Sequence, residues 1–532
     1  MAACASWLAR VAAERGKPGG GFRAACPHRR AHEVRSWCAD QGERRDCCVA
    51  APRRSARGVQ AARLTWGSLS RMTSSWIARH WPGPLSIVTL WLAFAGVHYV
   101  LILVNLYSLS NPMGDVFQVY RGWVDQAQLG QVPGIDTTFV YPLPSLLPML
   151  VADAVGGQAN YGLGWLLVVA AGNAVAFAAL TLWRPSSRDA RLRQIAAWWW
   201  LVLMALLGPV ALGRIDAVSV PIAILALLAL RRRPEIAGAL LTFGAWLKIW
   251  PAAVFAAAFI VLRHRLWLVA GAVVVCAAVL IPALALGGGS NVFSFVTEQT
   301  GRGLQVEAVA ATVPMWLASM QVPGYDAYYS MEILTFQVDG PGTEFVSALL
   351  TPVLGVAVLG VVLLALVSKR RGMPFTRLFP ALSLALVLSF IVFNKVGSPQ
   401  FITWLAPVIV FGLIVDVRRF ALPAGIALCI AWLTQIIYPG NYNFVTDAHS
   451  AGVALLAGRN GLLVVLLVWA LWAMWPRSRR AVRRAPSGSS AARTPASSAV
   501  REHGADGVAD VVDLEQEPVV AEVRPDRDGS VA

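Results

Sequence analysis

Apolar residues fill stretches near residues 85–107, 161–183, 195–213, 215–230, 266–286, 348–367, 376–393, 401–415, 420–437 and 452–475. Crossing roughly 30 Å of hydrocarbon takes about 20 apolar residues in a helix, so the pattern predicts an all-α polytopic membrane protein of about 10–12 transmembrane helices. Two segments depart from it. Residues 237–262, AGALLTFGAWLKIWPAAVFAAAFIVL, have basic clusters at both ends but are too short for two spans. They predict a hairpin of two short helices broken at Lys248 and Pro251, a feature membranes tolerate only where the freed backbone lines an enclosed or watery cavity. Residues 141–156, YPLPSLLPMLVADAVG, predict a short interfacial or partly re-entrant helix, because a full crossing would put the next basic cluster on the wrong side.

Basic residues follow alternate runs: Arg184 to Arg193, Arg231 to Arg233, Arg263 with Arg265, Lys369 to Arg371, Arg418 with Arg419, and RSRRAVRR after Pro476. The positive-inside rule makes these loops cytoplasmic, so a multi-pass protein of the cytoplasmic membrane with both termini inside is expected. Loops 108–160, 287–347, 394–400 and 438–451, with the tight GRIDA turn, then lie outside. That assignment puts 12 of the 15 acids of residues 81–476 on the external face.

The net charge of +16 does not point to nucleic acid. Residues 1–80 hold 15 basic against 5 acidic side chains, residues 477–532 hold 9 of each, and residues 81–476 hold 21 and 15, a surplus of only 6. The core's basic residues sit mostly in short loops, where they report topology. The arginine-rich head, residues 1–80, has neither a signal-peptide core nor apolar periodicity and is expected to be disordered. Its abrupt end before Met72 suggests that translation starts there, at MTSSWIARHWPGPL. The tail, residues 477–532, is Ser/Ala/Pro-rich and then acidic, and is also expected to be disordered and cytoplasmic. Five cysteines (Cys4, Cys26, Cys38, Cys47, Cys48) lie in the head and two, Cys276 and Cys429, in apolar runs, so no disulfide framework or metal module is implied.

Six cations of the core fall outside the basic loops: Arg121, Arg214, Lys248, Arg302, Lys395 and Arg459. Near the outer boundary of a membrane each costs a few kcal/mol, roughly, unless it has a partner. Together they fit a site for an anionic group delivered from the bilayer, a lipid-linked phosphate above all. Lys248, Arg302 and Lys395 are the leading ligands for it, with Arg214 and Arg459 behind them. Snorkelling lysines and an Arg302–Glu298 surface pair are the plainer alternatives.

Asp115, in NPMGDVFQVYRGW, follows the first span. Its carboxylate is placed either to deprotonate a hydroxyl attacking the anomeric carbon of a phosphate-linked sugar or to cap a helix. Tyr120, Trp123, Phe139 and Tyr141 follow it as candidate stacking platforms for a sugar. Gln299, Gln305 and Glu307 near Arg302 are candidate partners for sugar hydroxyls, while His449 is a weaker candidate. Asp125, Asp136, Asp216 and Glu307 are external acids whose spacing specifies no metal, so no metal and no other cofactor is expected.

The order of GDVFQVY, FVYPLP, GRIDAVSV, AGALLTFGAWLKIWPA, FVTEQTGRGLQVEA, NKVGSPQFITWL and AGRNGLLV resembles glycosyltransferase family 87, the actinobacterial polyprenol-phosphate-mannose-dependent α-1,2-mannosyltransferases, over roughly residues 85–475. The resemblance implies a C-type glycosyltransferase fold, an external active site, a polyprenyl-phosphate-mannose donor and a glycolipid or glycan acceptor. It also implies that Asp115, the acid after the first helix, is the base. Two positions depart from the family pattern: Leu143 in YPLP and Asp216 in the GRIDA turn. A lipid-linked sugar flippase or transporter would share broken helices and buried charges, but no repeat relates the two halves of the chain. A non-catalytic scaffold has only the tail to recommend it.

Overall fold

The computed structural model describes residues 87–182, 187–298, 302–331 and 333–476. The head, the start expected at Met72, the tail and Gln299 lie outside the described residues. The chain forms α1 (Ile87–Tyr107), a π-helical turn at Asp115–Tyr120, α2 (Arg121–Gln128), α3 (Leu146–Gly156), α4 (Tyr161–Thr181), α5 (Ser187–Leu207) and α6 (Asp216–Ala229). Then come α7 (Pro234–Leu247), α8 (Pro251–Val261), α9 (Arg265–Ala285) and α10 (Thr312–Ser319). Strands β1 (Asp326–Ser330) and β2 (Thr335–Asp339) precede α11 (Thr343–Arg370), α12 (Phe375–Val392), α13 (Leu405–Ile437) and α14 (Ser450–Met474).

This is a largely helical, multi-pass membrane protein in which eight helices among the described residues are long and apolar enough to span, fewer than the ten to twelve expected. Two features account for the difference. Helix α6 has 14 residues, about 21 Å at 1.5 Å per residue, too short for the hydrocarbon. The runs at 401–415 and 420–437 are joined in α13 across a kink at Asp416, where φ is −151° and ψ is 80°. Its two legs fold sharply: a Cβ on Gly412 would meet the Phe420 ring at 2.2 Å. The protein is also not wholly helical. Strands β1 and β2 pair antiparallel, from Asp326 opposite Asp339 to Ser330 opposite Thr335. The segment before α10 joins this hairpin, with Val306 N–H donating to Phe336 O (3.2 Å) and Val338 N–H to Leu304 O (2.9 Å).

The interrupted hairpin forms where the sequence places it. Helix α7 stops at Leu247, Lys248 is extended (φ −156°, ψ 131°), and Pro251 opens α8, where its missing N–H costs nothing. Helix α3 has 11 residues and is too short to cross. In α1 the buried positions are Leu90, Phe94, His98, Leu101 and Asn105, one face at helical spacing, while Val88, Leu92 and Tyr99 point outward. Both polar residues of that set thus face protein.

The two ends of the bundle differ. At one end Lys369 donates to Ile260 O (2.6 Å), Ser368 to Met474 O (2.6 Å) and Arg419 to Ala473 O (3.1 Å), which gathers the basic ends of α8, α11 and α14 beside the kink of α13. Both legs of α13 start from the opposite end, where Trp404 reaches Asp216 and Tyr438 reaches Arg214.

Helices α7 and α9 touch through backbone. A Cβ on Gly238 would lie 2.0 Å from Leu268 O, and one on Gly271 would lie 1.9 Å from Glu235 O. Membrane helices pack this closely only where small residues meet. Gly271→Val should force the pair apart and lower stability by about 1–3 kcal/mol, seen as an earlier thermal transition in detergent; an unshifted transition contradicts the packing.

Candidate functional site

The turn between α5 and α6 is held by side chains from three other elements. Asn105 donates to Pro209 O (3.2 Å), Trp165 Nε1 to Leu212 O (3.0 Å), and Ile215 N–H to the Tyr120 hydroxyl (3.1 Å). Gly213 packs so closely that a Cβ there would meet Asn105 Oδ1 at 2.8 Å. The turn carries Arg214 and Asp216 into the interior.

Arg214 is buried and spends its donors on protein. Its Nη1 donates to Pro112 O (2.7 Å) and Gly213 O (3.0 Å), its Nη2 to the Tyr438 hydroxyl (2.6 Å), and its Nε lies 3.2 Å from Asp115 Oδ2. Burial opposes its charge, but Asp115 and the phenols of Tyr438, Tyr120 and Tyr141 outweigh that and hold it above the usual arginine range. Asp115 is the first residue of the π-helical turn and its side chain is 43% exposed, so Arg214 orients a carboxylate that still opens outward.

Lys248 is arranged in the opposite way. Its Nζ lies 3.8 Å from Asp216 Oδ2 and 4.5 Å from the centre of the Tyr141 ring, yet it donates no hydrogen bond among the described residues. Burial opposes its charge; Asp216 and then Tyr141 favour it, and Lys248 sits above the ordinary lysine range. Arg302 and Asp115 also act on it through space, so these groups share one region. Arg302 Nε is buried with no hydrogen-bond partner. Lys395 is half-buried; its carbonyl accepts from Gln305 N–H (3.1 Å), and Arg302 repels its ammonium.

The remaining predicted residues sort differently. Arg459 is buried against Glu307, with Nη1 to Glu307 Oε2 at 2.9 Å, Nη2 to Glu307 O at 2.7 Å, and Nη2 and Nε both on Asn460 Oδ1. This clamp pins the loop before α10 onto α14. Gln305 is also buried and pairs across to Gln337. Arg121 pairs with Asp125 and Asp153 and covers the Tyr161 ring. Tyr120 is only 1% exposed and stacks on Trp123, so it offers no ring face to a sugar, whereas Tyr141 is partly exposed beside Lys248. Phe139 is buried and His449 is exposed beside Phe444. No group of three metal-ligating side chains occurs among the described residues.

Sequence reading missed Tyr438, which completes the Arg214 shell, and Trp404, whose Nε1 donates to Asp216 Oδ1 at 2.6 Å. Neither carries a charge that would mark it out. Asn460 had a signal: with Arg459 it interrupts an apolar run, and polar residues at such depth usually have partners.

Fold and site together define a class, a multi-pass helical membrane protein with an oriented carboxylate and cations with unspent donors at one end. Residues 139–392 match the model of glycosyltransferase family 87. The match includes Tyr141, Arg214, Asp216, Lys248, Arg302, Gln305 and Glu307, and stops short of Asp115, Tyr120, Lys395 and Arg459. No curated protein and no solved structure matches the chain.

Removing one partner of a buried ion pair leaves the other charge uncompensated. Glu307→Ala or Arg459→Ala should each cost about 3–5 kcal/mol of stability. Glu307→Gln combined with Arg459→Met, which removes both charges, should cost clearly less in the same unfolding measurement. Equal losses in all three proteins would deny that the two charges compensate each other.

Proposed function

We propose that the protein transfers a sugar, mannose in the first instance, from a polyprenyl-phosphate donor to a glycolipid or glycan acceptor in one inverting displacement. The acceptor oxygen attacks the anomeric carbon, its proton passes to Asp115, and the polyprenyl phosphate leaves with the bonding pair. Lys248, Arg302 and Lys395 receive the phosphate through charge-assisted hydrogen bonds. Tyr141 lines the donor side, and Gln299 stays a candidate for the sugar hydroxyls. Arg214 acts on the carboxylate rather than the phosphate, and Arg459 with Glu307 holds the loop that carries Arg302. The observation that carries this reading is the contrast between Arg214, whose donors are spent on orienting Asp115 and its surroundings, and Lys248, whose donors are not.

The match to the family model over residues 139–392 supports glycosyl transfer as the reaction class. The family resemblance adds the C-type architecture, the mannosyl donor and an α-(1→2) product. Basic residues gathered at the far end support a cytoplasmic placement for that end and an extracytoplasmic one for the site.

Membranes given labelled polyprenyl-phosphate mannose and candidate acceptors test the reading. Asp115→Asn should cut turnover by about 10²–10⁴-fold, the usual worth of a positioned base, while donor binding persists. Undiminished product from that variant removes Asp115 from the chemistry. A second expectation concerns pH. Burial and then Arg302 hold the Lys395 ammonium below the ordinary lysine range, so donor affinity should fall as pH rises through that lowered value and the charge is lost. Lys395→Arg, whose charge persists, should delay the fall; the same rise of donor KM with pH in both proteins would exclude Lys395 from phosphate binding.

A further inference from the structure

We propose that Asp216 is a positioning residue that fixes Lys248 for the phosphate of the lipid-linked donor, an inference that rests on the transfer reading above. Asp216 is 0% exposed and is the first residue of α6. An Asp at the start of a helix often accepts from first-turn N–H groups, but no such bond is made here among the described residues. One oxygen accepts from Trp404 Nε1 (2.6 Å), whose indole stacks on Trp250; the other has no hydrogen-bond partner. Burying a carboxylate with an empty oxygen is costly, and the cation facing that oxygen is Lys248, 3.8 Å away.

That distance is inside ion-pair range and beyond a hydrogen bond. Lys248 is therefore held by charge, between the Asp216 carboxylate and the Tyr141 ring, without committing any of its three donors. The backbone sets up the arrangement: Lys248 lies in the extended break between α7 and α8, and Trp250 Nε1 donates to Ser219 Oγ (2.9 Å), one turn along α6 from Asp216. Asp216 thus gives Lys248 a fixed place and a maintained charge while leaving its N–H groups for incoming oxygens. A phosphate oxygen suits those donors in chemistry, being anionic and able to accept several of them. The titratable and charged groups facing Lys248 are Asp216 on α6, Tyr141 before α3, Arg302 before α10 and Asp115 in the π-helical turn. Asp216, then Tyr141 and Asp115, favour the ammonium, and Arg302 opposes it.

The test uses Asp216→Asn, which keeps an oxygen for Trp404 and removes the charge. Acylation of individual lysines by acetic anhydride across a pH series, read by peptide mass spectrometry, should show Lys248 reacting about tenfold faster in the variant at a fixed pH, the factor for a one-unit fall in pKa. Donor KM should rise about tenfold with kcat within about threefold, the pattern for lost binding rather than lost chemistry. Trp404→Phe, which removes the same buried hydrogen bond but keeps the charge, should lower the melting temperature and leave Lys248 labelling as in the natural protein. Unchanged Lys248 labelling in folded Asp216→Asn, or equal acceleration in Trp404→Phe, overturns the proposal. Where Asp216→Asn does not fold, the natural protein decides: Lys248 should titrate above Lys395, and the reverse order overturns it. Absence of any transfer by the natural protein would sink the enzymatic reading, while the labelling would still judge the Asp216–Lys248 link.

Discussion

A guanidinium near hydrocarbon must find acceptors for its donors, and the way Arg214 meets that constraint organises the site. Its nitrogens reach the loop after α1 at Pro112 and Asp115, its own turn at Gly213, and the end of α13 at Tyr438. Three segments far apart in sequence are thereby joined at one charge. Because Arg214 is spent in this way, Asp115 is held from one side only. An aspartate on an exposed loop would sample many rotamers, and each lost rotamer costs entropy when a substrate must be met. Here the Arg214 pairing and the π-helical turn have met much of that cost in the folded chain.

The same constraint explains why α7 breaks where it does. An unbroken helix through Lys248 would carry the ammonium along a lipid-facing or tightly packed surface. Extended backbone at Lys248 instead turns the side chain toward Asp216 and Tyr141, and Pro251 restarts the helix. The break is stabilised from the α6 side: Trp250 bonds Ser219, and Trp404 bonds Asp216 while stacking on Trp250. Indole rings suit this role, because each buries a large apolar area and supplies one N–H that needs an acceptor.

Much of the membrane core was legible in the sequence because a span has a composition and a length that few soluble elements share. The interruption at Lys248 and Pro251 was visible for the same reason: charge and proline inside an apolar run are rare. The β1–β2 hairpin was hidden, since DAYYS and TFQVD sit in a long polar loop with no strong alternation to flag them. Length misled at Asp216–Ala229, where GRIDAVSV continues into an apolar run that starts too late to cross. In the site, charge made Arg214, Lys248, Arg302, Lys395 and Arg459 stand out, but charge alone could not say which were spent. Arg459 and Arg214 look no different in sequence from Arg302; only the partners Glu307, Asn460, Asp115 and Tyr438 separate them. Tyr120 was misread as a stacking platform because an aromatic beside a loop carries no sign of which way its ring is turned.

The two ends of the bundle meet the demands of their cations by different means, and the difference bears on what each end can do. At the basic end three cations donate to carbonyls in last turns of helices: Arg193 to Ala179 of α4, Lys369 to Ile260 of α8, and Arg419 to Ala473 of α14. Those oxygens lack intrahelical partners and carry the negative pole of the helix dipole, so the pairing closes helix ends and balances charge at once. A backbone carbonyl cannot be withdrawn without unwinding its helix, which makes that end a fixed clasp. At the other end side-chain carboxylates join the carbonyl acceptors, with Asp115 beside Arg214, Asp216 facing Lys248 and Glu307 paired with Arg459. Carboxylates on rotatable bonds can share or yield a cation to a stronger anion, and phosphate with its several oxygens is such an anion. Glu307 has lost that freedom, because its backbone oxygen is held by Arg459 together with its carboxylate. Asp216 keeps it, since 3.8 Å separates it from Lys248 with no hydrogen bond to break. Exchange of partners is therefore cheapest where the helix is broken, and most expensive where Arg459 clamps the loop that leads to Arg302.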